Sequence, residues 1–404
     1  MTTNKQPIWT KNFLSISFLS LLVFITFYTL LTTLPIYVIY SLEGTEAQAG
    51  LVVTMMLLSS ILVRPFSGNL MERLGKRNVL IGSTIAFAVI SLGYIWVEQF
   101  VPLMILRFMH GVAFGLLTTT TSTIAADILP VERKGEGLGY FTLFMNMAIV
   151  IGPFFGLTLI QLISFQQLFI TLSILVVFSV LCAMLVKLKN VGIPALSTAK
   201  KKLSIHDFFE FKAVPVSIIS ALVAFAYAGI LSFISVYSVE IGLGHLSGYF
   251  FLVFAFMMLL TRPYLGRLFD QRGPQIVIIP CLITFSAGFI ILSVAAESPW
   301  LFLIAAGVIG VGYGSLLPFL LSLSIKTIPP SRNGHGTSTF FTLYDSGVAA
   351  GSFLLGLMVP YIGFSNLYIF LAGLVLAIAV VFYLYQKHME ARKNNEKKQG
   401  SRAC

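Results

Sequence analysis

The chain has 404 residues, 57% of them hydrophobic and only 10% charged, against roughly 25% charged residues in an ordinary soluble domain. That composition excludes a soluble globule and makes a bilayer the solvent for most side chains. The formal net charge of +11 is confined largely to loops and the C-terminal end, so it reads as a topology signal and no nucleic-acid partner is expected.

Apolar stretches, most of them reaching the roughly 20 residues a helix needs to cross a hydrocarbon core, predict twelve spans. They cover 13–40, 49–66, 79–97, 101–126, 138–162, 168–186, 214–239, 246–265, 276–296, 300–325, 340–359 and 367–385. The first is longer than the apolar core of a cleavable signal and is read as a retained helix. With the N-terminus inside, the outer loops hold Glu43, Glu46, Glu98, Glu240 and Glu297 and no Lys or Arg. The positive-inside rule therefore puts both termini in the cytoplasm.

The polar, basic stretch 187–213 separates a six-helix half, 1–186, from a second, 214–386; a basic tail, 387–404, follows and is expected to be solvated and disordered. The halves carry an internal repeat. RPFSGNLMERLGKR from Arg64 realigns with RPYLGRLFDQRGPQ from Arg262, and Gly111, Gly115, Pro130 and Arg133 echo Gly310, Gly314, Pro329 and Arg332. Parallel repeats of this kind belong to transporters whose substrate site forms between the halves. Cys182, Cys281 and Cys404 are too few and scattered for a disulfide framework or a zinc site. Gly310, Gly312 and Gly314 lie in a membrane span rather than after a strand, and no phosphate loop or zinc-protease motif occurs, so neither cofactor nor metal is expected.

Gly68, Glu72, Arg73, Gly75, Lys76 and Arg77 resemble the loop between helices two and three of the major facilitator superfamily, with Glu72 in place of the usual Asp. The resemblance extends over essentially the whole chain. It implies an all-α membrane fold of two pseudo-symmetric six-helix halves, in which this basic turn acts as a cytoplasmic latch. Asp127 is the expected partner of Arg73 or Arg77; Glu72 is expected at the start of helix eleven, and Asp270 is expected to pair with Lys326. A simply basic inner loop is the plain alternative. Gly152, Pro153 and Gly156 resemble a motif of the superfamily's drug and proton antiporters and imply a bend between the halves. Thr33 to Tyr37 resemble another exporter signature, although helix one carries no acid.

Charges deep in a bilayer cost about 2.5 to 3.5 kcal/mol on insertion scales, so each embedded one is a functional candidate. Arg107 lies about 9 Å inside the outer end of its span, and His110 one turn further in. Arg107 either binds an anionic substrate group or is the fixed cation beside a proton site; the alternative is an arginine reaching the outer surface. His110 either carries the proton or is a buried neutral ring. Asp345, about 12 Å inside its span, is the acid expected near the bilayer middle and the candidate for coupling. Helices one, four, seven and ten are expected, by the resemblance, to line the cavity, with Phe24, Tyr28, Phe114, Tyr227 and Tyr313 as candidate lining residues or as packing. The function expected is proton-coupled export of a small organic molecule by a monomeric, non-enzymatic transporter of the bacterial inner membrane. Ion-coupled uptake of a nutrient, or a receptor or scaffold without turnover, are the alternatives.

Overall fold

A backbone in lipid must satisfy its N–H and C=O groups within its own segment, which is why the apolar stretches become helices. The computed structural model describes residues 7–130, 133–188, 210–296, 298–326, 328 and 333–400. Among them the helices are α1 (Lys11–Tyr40), α2 (Glu46–Leu74), α3 (Lys76–Gly93), α4 (Phe100–Ile128), α5 (Lys134–Leu159) and α6 (Phe165–Leu185). After the central stretch come α7 (Val214–Glu240), α8 (Ser247–Arg272), α9 (Pro274–Ser293), α10 (Pro299–Tyr313), α11 (Leu316–Ile325) and α12 (Asn333–Gly400). No strand occurs among the described residues.

Among the described residues eleven stretches are long and apolar enough to cross a membrane, the last of them running from Gly336 to Met389. Gly363, at φ 72° and ψ 166°, interrupts that last stretch, so α12 holds both the eleventh and the twelfth expected spans. Three departures from the expected boundaries have local causes. The second and eighth spans were expected to stop just after their Arg-Pro pairs, but α2 and α8 run through Pro65 and Pro263 to Leu74 and Arg272. A proline removes one hydrogen bond without ending a helix whose next turn is intact. The tenth span is divided between α10 and α11, because Pro318 in the first turn of α11 has no N–H for the carbonyl of Gly314. Finally, the tail expected to be disordered after Tyr385 continues as helix to Gly400, since QKHMEARKNNEKKQ is rich in helix formers and free of Gly and Pro.

The repeat expected from the glycines is realised as matching helix crossings. A Cβ on Gly111 would collide with the Met56 carbonyl and one on Gly115 with Ser60; a Cβ on Gly310 would collide with the Phe254 carbonyl and one on Gly314 with Met258. Met56 and Phe254 are 198 residues apart, as are Ser60 and Met258. α4 thus lies on α2 as α10 lies on α8, with backbones in direct contact.

Many hydroxyls within the spans are satisfied by their own helix. In the run 118–123 of α4 the hydroxyls of Thr118, Thr119, Thr120, Ser122 and Thr123 each donate to the carbonyl four residues back at 2.7–2.9 Å. Outward faces are apolar: Phe66 and its repeat partner Tyr264 are 67% and 70% exposed. Trp96 and Trp300 project at span ends, as aromatic residues do at membrane interfaces.

The chain forms two compact units. The first is Met1–Ser204 with Leu231–Glu240 and Ser352–Leu357; the second is Ile205–Ile230, Ile241–Gly351 and Met358–Cys404.

Candidate functional site

In the first unit, Arg107 and His110 form a buried polar node, and both side chains are 0% exposed. Arg107 therefore does not reach the surface. Its Nε donates to the carbonyl of Val52 at 2.9 Å, while Nη1 and Nη2 have no hydrogen-bond partner. His110 is held on both sides. Ser91 donates its hydroxyl to the Phe87 carbonyl at 2.8 Å, which leaves its oxygen to accept from His110 Nε2 at 3.2 Å. Nδ1 then accepts from the Tyr94 hydroxyl at 3.1 Å. Phe87 covers the ring at a centroid distance of 4.0 Å. Every polar atom of a neutral His110 is thus satisfied. Arg107 and His110 have Ala306 and Ile309 at their repeat positions, so the node belongs to one half alone. Ser91, Tyr94 and Phe87 escaped the sequence reading because they meet His110 from a neighbouring helix, which no spacing within α4 reveals.

The aromatic candidates gather separately in each unit. Phe114 stacks on Phe27 at 4.4 Å and 9° and meets Phe24 edge-on at 5.4 Å. Phe24 and Tyr28, one turn apart on α1, are half-buried, whereas Phe114 is buried. In the second unit Tyr227 stacks on Tyr313 at 3.9 Å and 9°, Phe254 and Phe285 flank the pair, and the hydroxyls of Tyr313 and Tyr344 are hydrogen-bonded. The Tyr227 hydroxyl is buried without a partner.

Asp345 follows Tyr344 in α12 and is half-buried. Gly347 and Gly351 press against the Ala221 and Phe225 carbonyls of α7. Asp345 is two residues, or about 200° of helix, from Gly347 and so projects from another face. It shares a stripe with Ser352 and Gly356, seven and eleven residues on. Within the first unit Ser352 is hydrogen-bonded to Ser232 at 2.8 Å, its carbonyl abuts Gly50, and Gly356 abuts the Glu46 carbonyl.

The α5 motif packs within its own unit. A Cβ on Gly152 would lie 2.7 Å from the Cβ of Tyr28, and one on Gly156 2.6 Å from Cγ2 of Thr29; Thr29 donates to the Gly152 carbonyl at 2.8 Å. The close approach expected between the halves is made here to α1. In the basic turn Asp127 pairs not with Arg73 or Arg77 but with Lys76, at 2.6 Å and with both side chains nearly half exposed. Gly75, at φ 84°, turns the chain so that α3 starts on Lys76 facing the end of α4, while Arg77 Nε donates to the Val186 carbonyl at 3.2 Å. Gly68 borders open space. The side chain of Asp270, hence its pairing with Lys326, lies outside the described residues, as do 329–332 at the expected seat of Glu72.

The sequence profile of the Major Facilitator Superfamily matches residues 16–351 and 247–403. An uncharacterized MFS-type transporter of Methanocaldococcus jannaschii is 25% identical over 87% of this chain and 92% of its own length. The staphylopine export protein of Staphylococcus aureus is 22% identical over 85% and 89%, and the multidrug resistance protein MdtG of Salmonella typhi 24% over 82% and 83%. The crystal structure of the nucleoside transporter NupG, 14% identical, superposes with a TM-score of 0.74 over 93% of this chain and 99% of that one, which speaks for the fold alone. A repeat built on matching glycine crossings, spans that suit a bilayer and a profile match over nearly the whole length lead to one conclusion: the chain belongs to the major facilitator superfamily.

Proposed function

We propose that this transporter is a proton-coupled exporter of a small organic molecule, working by alternating access of two six-helix halves in a bacterial inner membrane with both termini cytoplasmic. Export is supported by the relatives named for staphylopine export and multidrug resistance and by the Gly152, Pro153 and Gly156 motif. The observation that carries the coupling is the position of Asp345. It is a half-buried acid in a membrane span, next in sequence to Tyr344, whose hydroxyl is hydrogen-bonded to that of Tyr313. This reading makes Asp345 the residue through which the proton gradient acts on the change of access.

In inside-out vesicles bearing the purified protein and a proton gradient, a transported compound releases protons on addition, and collapse of the gradient abolishes the signal. Asp345→Asn protein that still reaches the membrane shows no such release. Full release in that variant removes Asp345 from the mechanism, and silence across a broad panel with folded protein defeats the antiport reading.

A further inference from the structure

α4 is drawn against α2 by Gly111 and Gly115, and α3 packs along α4, yet α2 and α3 scarcely touch beyond the Gly75 turn. What remains is a groove of about 400 Å³ with α4 as its floor, walled by Leu70 and Leu74 of α2 and by Gly82 and Ile90 of α3. It faces the lipid: Leu74 and the floor residue Phe108 are exposed. The two polar residues in its lining make no demand on an occupant. Asn78 Nδ2 donates to the Leu74 carbonyl at 2.8 Å, and Ser83 donates to the Val79 carbonyl at 2.7 Å. From Asn78 to Ile90 the wall is about 18 Å long, the length of an extended chain of about 14 carbons.

One end of this apolar trough carries three cations, Arg73, Lys76 and Arg77, around Leu74 and Asn78, with the acids Glu72 and Asp127 beside them, a net charge of +1. Lys76 is engaged by Asp127 and Arg77 by the Val186 carbonyl. Arg73 is exposed and, among the described residues, has neither a hydrogen bond nor an ion pair. At the repeat positions the second half carries Gln271, Pro274 and Gln275, so this combination of cations is peculiar to the first.

We propose that the groove retains one acyl chain of an anionic glycerophospholipid whose phosphate is held by Arg73. An apolar trough alone accepts any lipid chain; a cation at its mouth selects the headgroup, because an arginine meets a phosphate with two parallel donors.

The test is native mass spectrometry of the full chain in detergent, titrated with phosphatidylglycerol or phosphatidylcholine of the same acyl composition. Wild type retains one phosphatidylglycerol with about a fivefold preference over phosphatidylcholine, the increment expected of one arginine near an anionic headgroup. A Cβ on Gly82 meets no protein atom within 4 Å, so Gly82→Leu fills the trough without displacing its walls and abolishes retention of both lipids. Ala86→Leu, from the same wall, does likewise and guards against a folding defect at Gly82. Arg73→Gln retains a chain but loses the headgroup preference, while Arg267→Gln in the second half changes nothing. Equal retention of the two lipids by wild type, or unchanged phosphatidylglycerol retention in the folded Gly82→Leu and Ala86→Leu proteins, overturns the proposal.

Discussion

The rings of Tyr227 and Tyr313 lie 3.9 Å apart and 9° from parallel, and 199 residues before each of them stand Tyr28 and Phe114. The first half makes the equivalent stack with Phe27 instead of Tyr28, at 4.4 Å and again 9°. The repeat thus preserves a parallel aromatic pair across its two central helices while shifting one partner by a residue. In the second half that shift leaves a phenol, the Tyr227 hydroxyl, buried and unpaired.

Tyr227→Phe keeps the stack and removes the unpaired hydroxyl, so thermal stability in detergent is unchanged or higher by up to about 1 kcal/mol. Tyr313→Phe breaks the hydroxyl pair with Tyr344 and lowers stability by about 1 kcal/mol. A fall in transport with Tyr227→Phe at undiminished stability marks the hydroxyl as a cargo contact. Equal destabilisation by both variants contradicts the assignment of the orphan.

Arg107 is fully buried, its Nη1 and Nη2 lack a hydrogen-bond partner, and Tyr94 is its electrostatic neighbour. Met keeps the apolar stem and removes the under-satisfied guanidinium at the cost of the Val52 hydrogen bond, so Arg107→Met protein melts within about 1.5 kcal/mol of wild type. Transport by this variant falls at least tenfold, on the order of 1.4 kcal/mol, if the charge serves the cycle. A large loss of stability indicates that the Val52 contact is what the arginine supplies.

His110→Leu strands the Tyr94 hydroxyl and costs about 1–3 kcal/mol. Because the network is complete around a neutral ring, folded His110→Asn protein keeps the pH profile of transport. A shift in that profile returns His110 to the list of proton carriers.

Gly310→Leu drives a side chain into the Phe254 backbone and costs more than the roughly 1–3 kcal/mol typical of overpacking, since a backbone cannot step aside as a side chain can. Gly266→Leu, whose Cβ meets open space, is tolerated. Comparing fluorescence-detected size-exclusion profiles of the two variants after heating checks the contrast.

The Lys76–Asp127 pair is nearly half exposed, so Lys76→Gln costs less than about 1 kcal/mol of stability. If the pair is a latch, its effect appears in the rate of transport and is recovered by exchanging the two charges. Recovery that fails, with expression intact, reduces the pair to part of a basic inner surface.

Much of the fold was legible because lipid punishes an unsatisfied backbone, so a long apolar run has one outcome. Gly111 and Gly310 announced their crossings because their spacing repeats. Side-chain partners were less legible. The choice of Lys76 over Arg73 for Asp127 depends on the turn at Gly75, and the meeting of His110 with Tyr94 depends on how α3 lies on α4, neither of which is written in one helix. The α5 glycines read as marking a bend between the halves, whereas their close contacts are with α1. Phe27 looked no different from 35 other phenylalanines, and only its stack on Phe114 sets it apart.

The break between α10 and α11 gives the two halves different mechanical character. In α4 the Gly115 carbonyl also receives the Thr119 hydroxyl at 2.8 Å; at the repeat positions Gly314 faces Pro318, which has no N–H to offer. One central helix is therefore continuous where its counterpart is broken. The break at Gly314–Ser315 predicts faster amide exchange there than at 115–116, which hydrogen-exchange mass spectrometry of the protein in detergent checks.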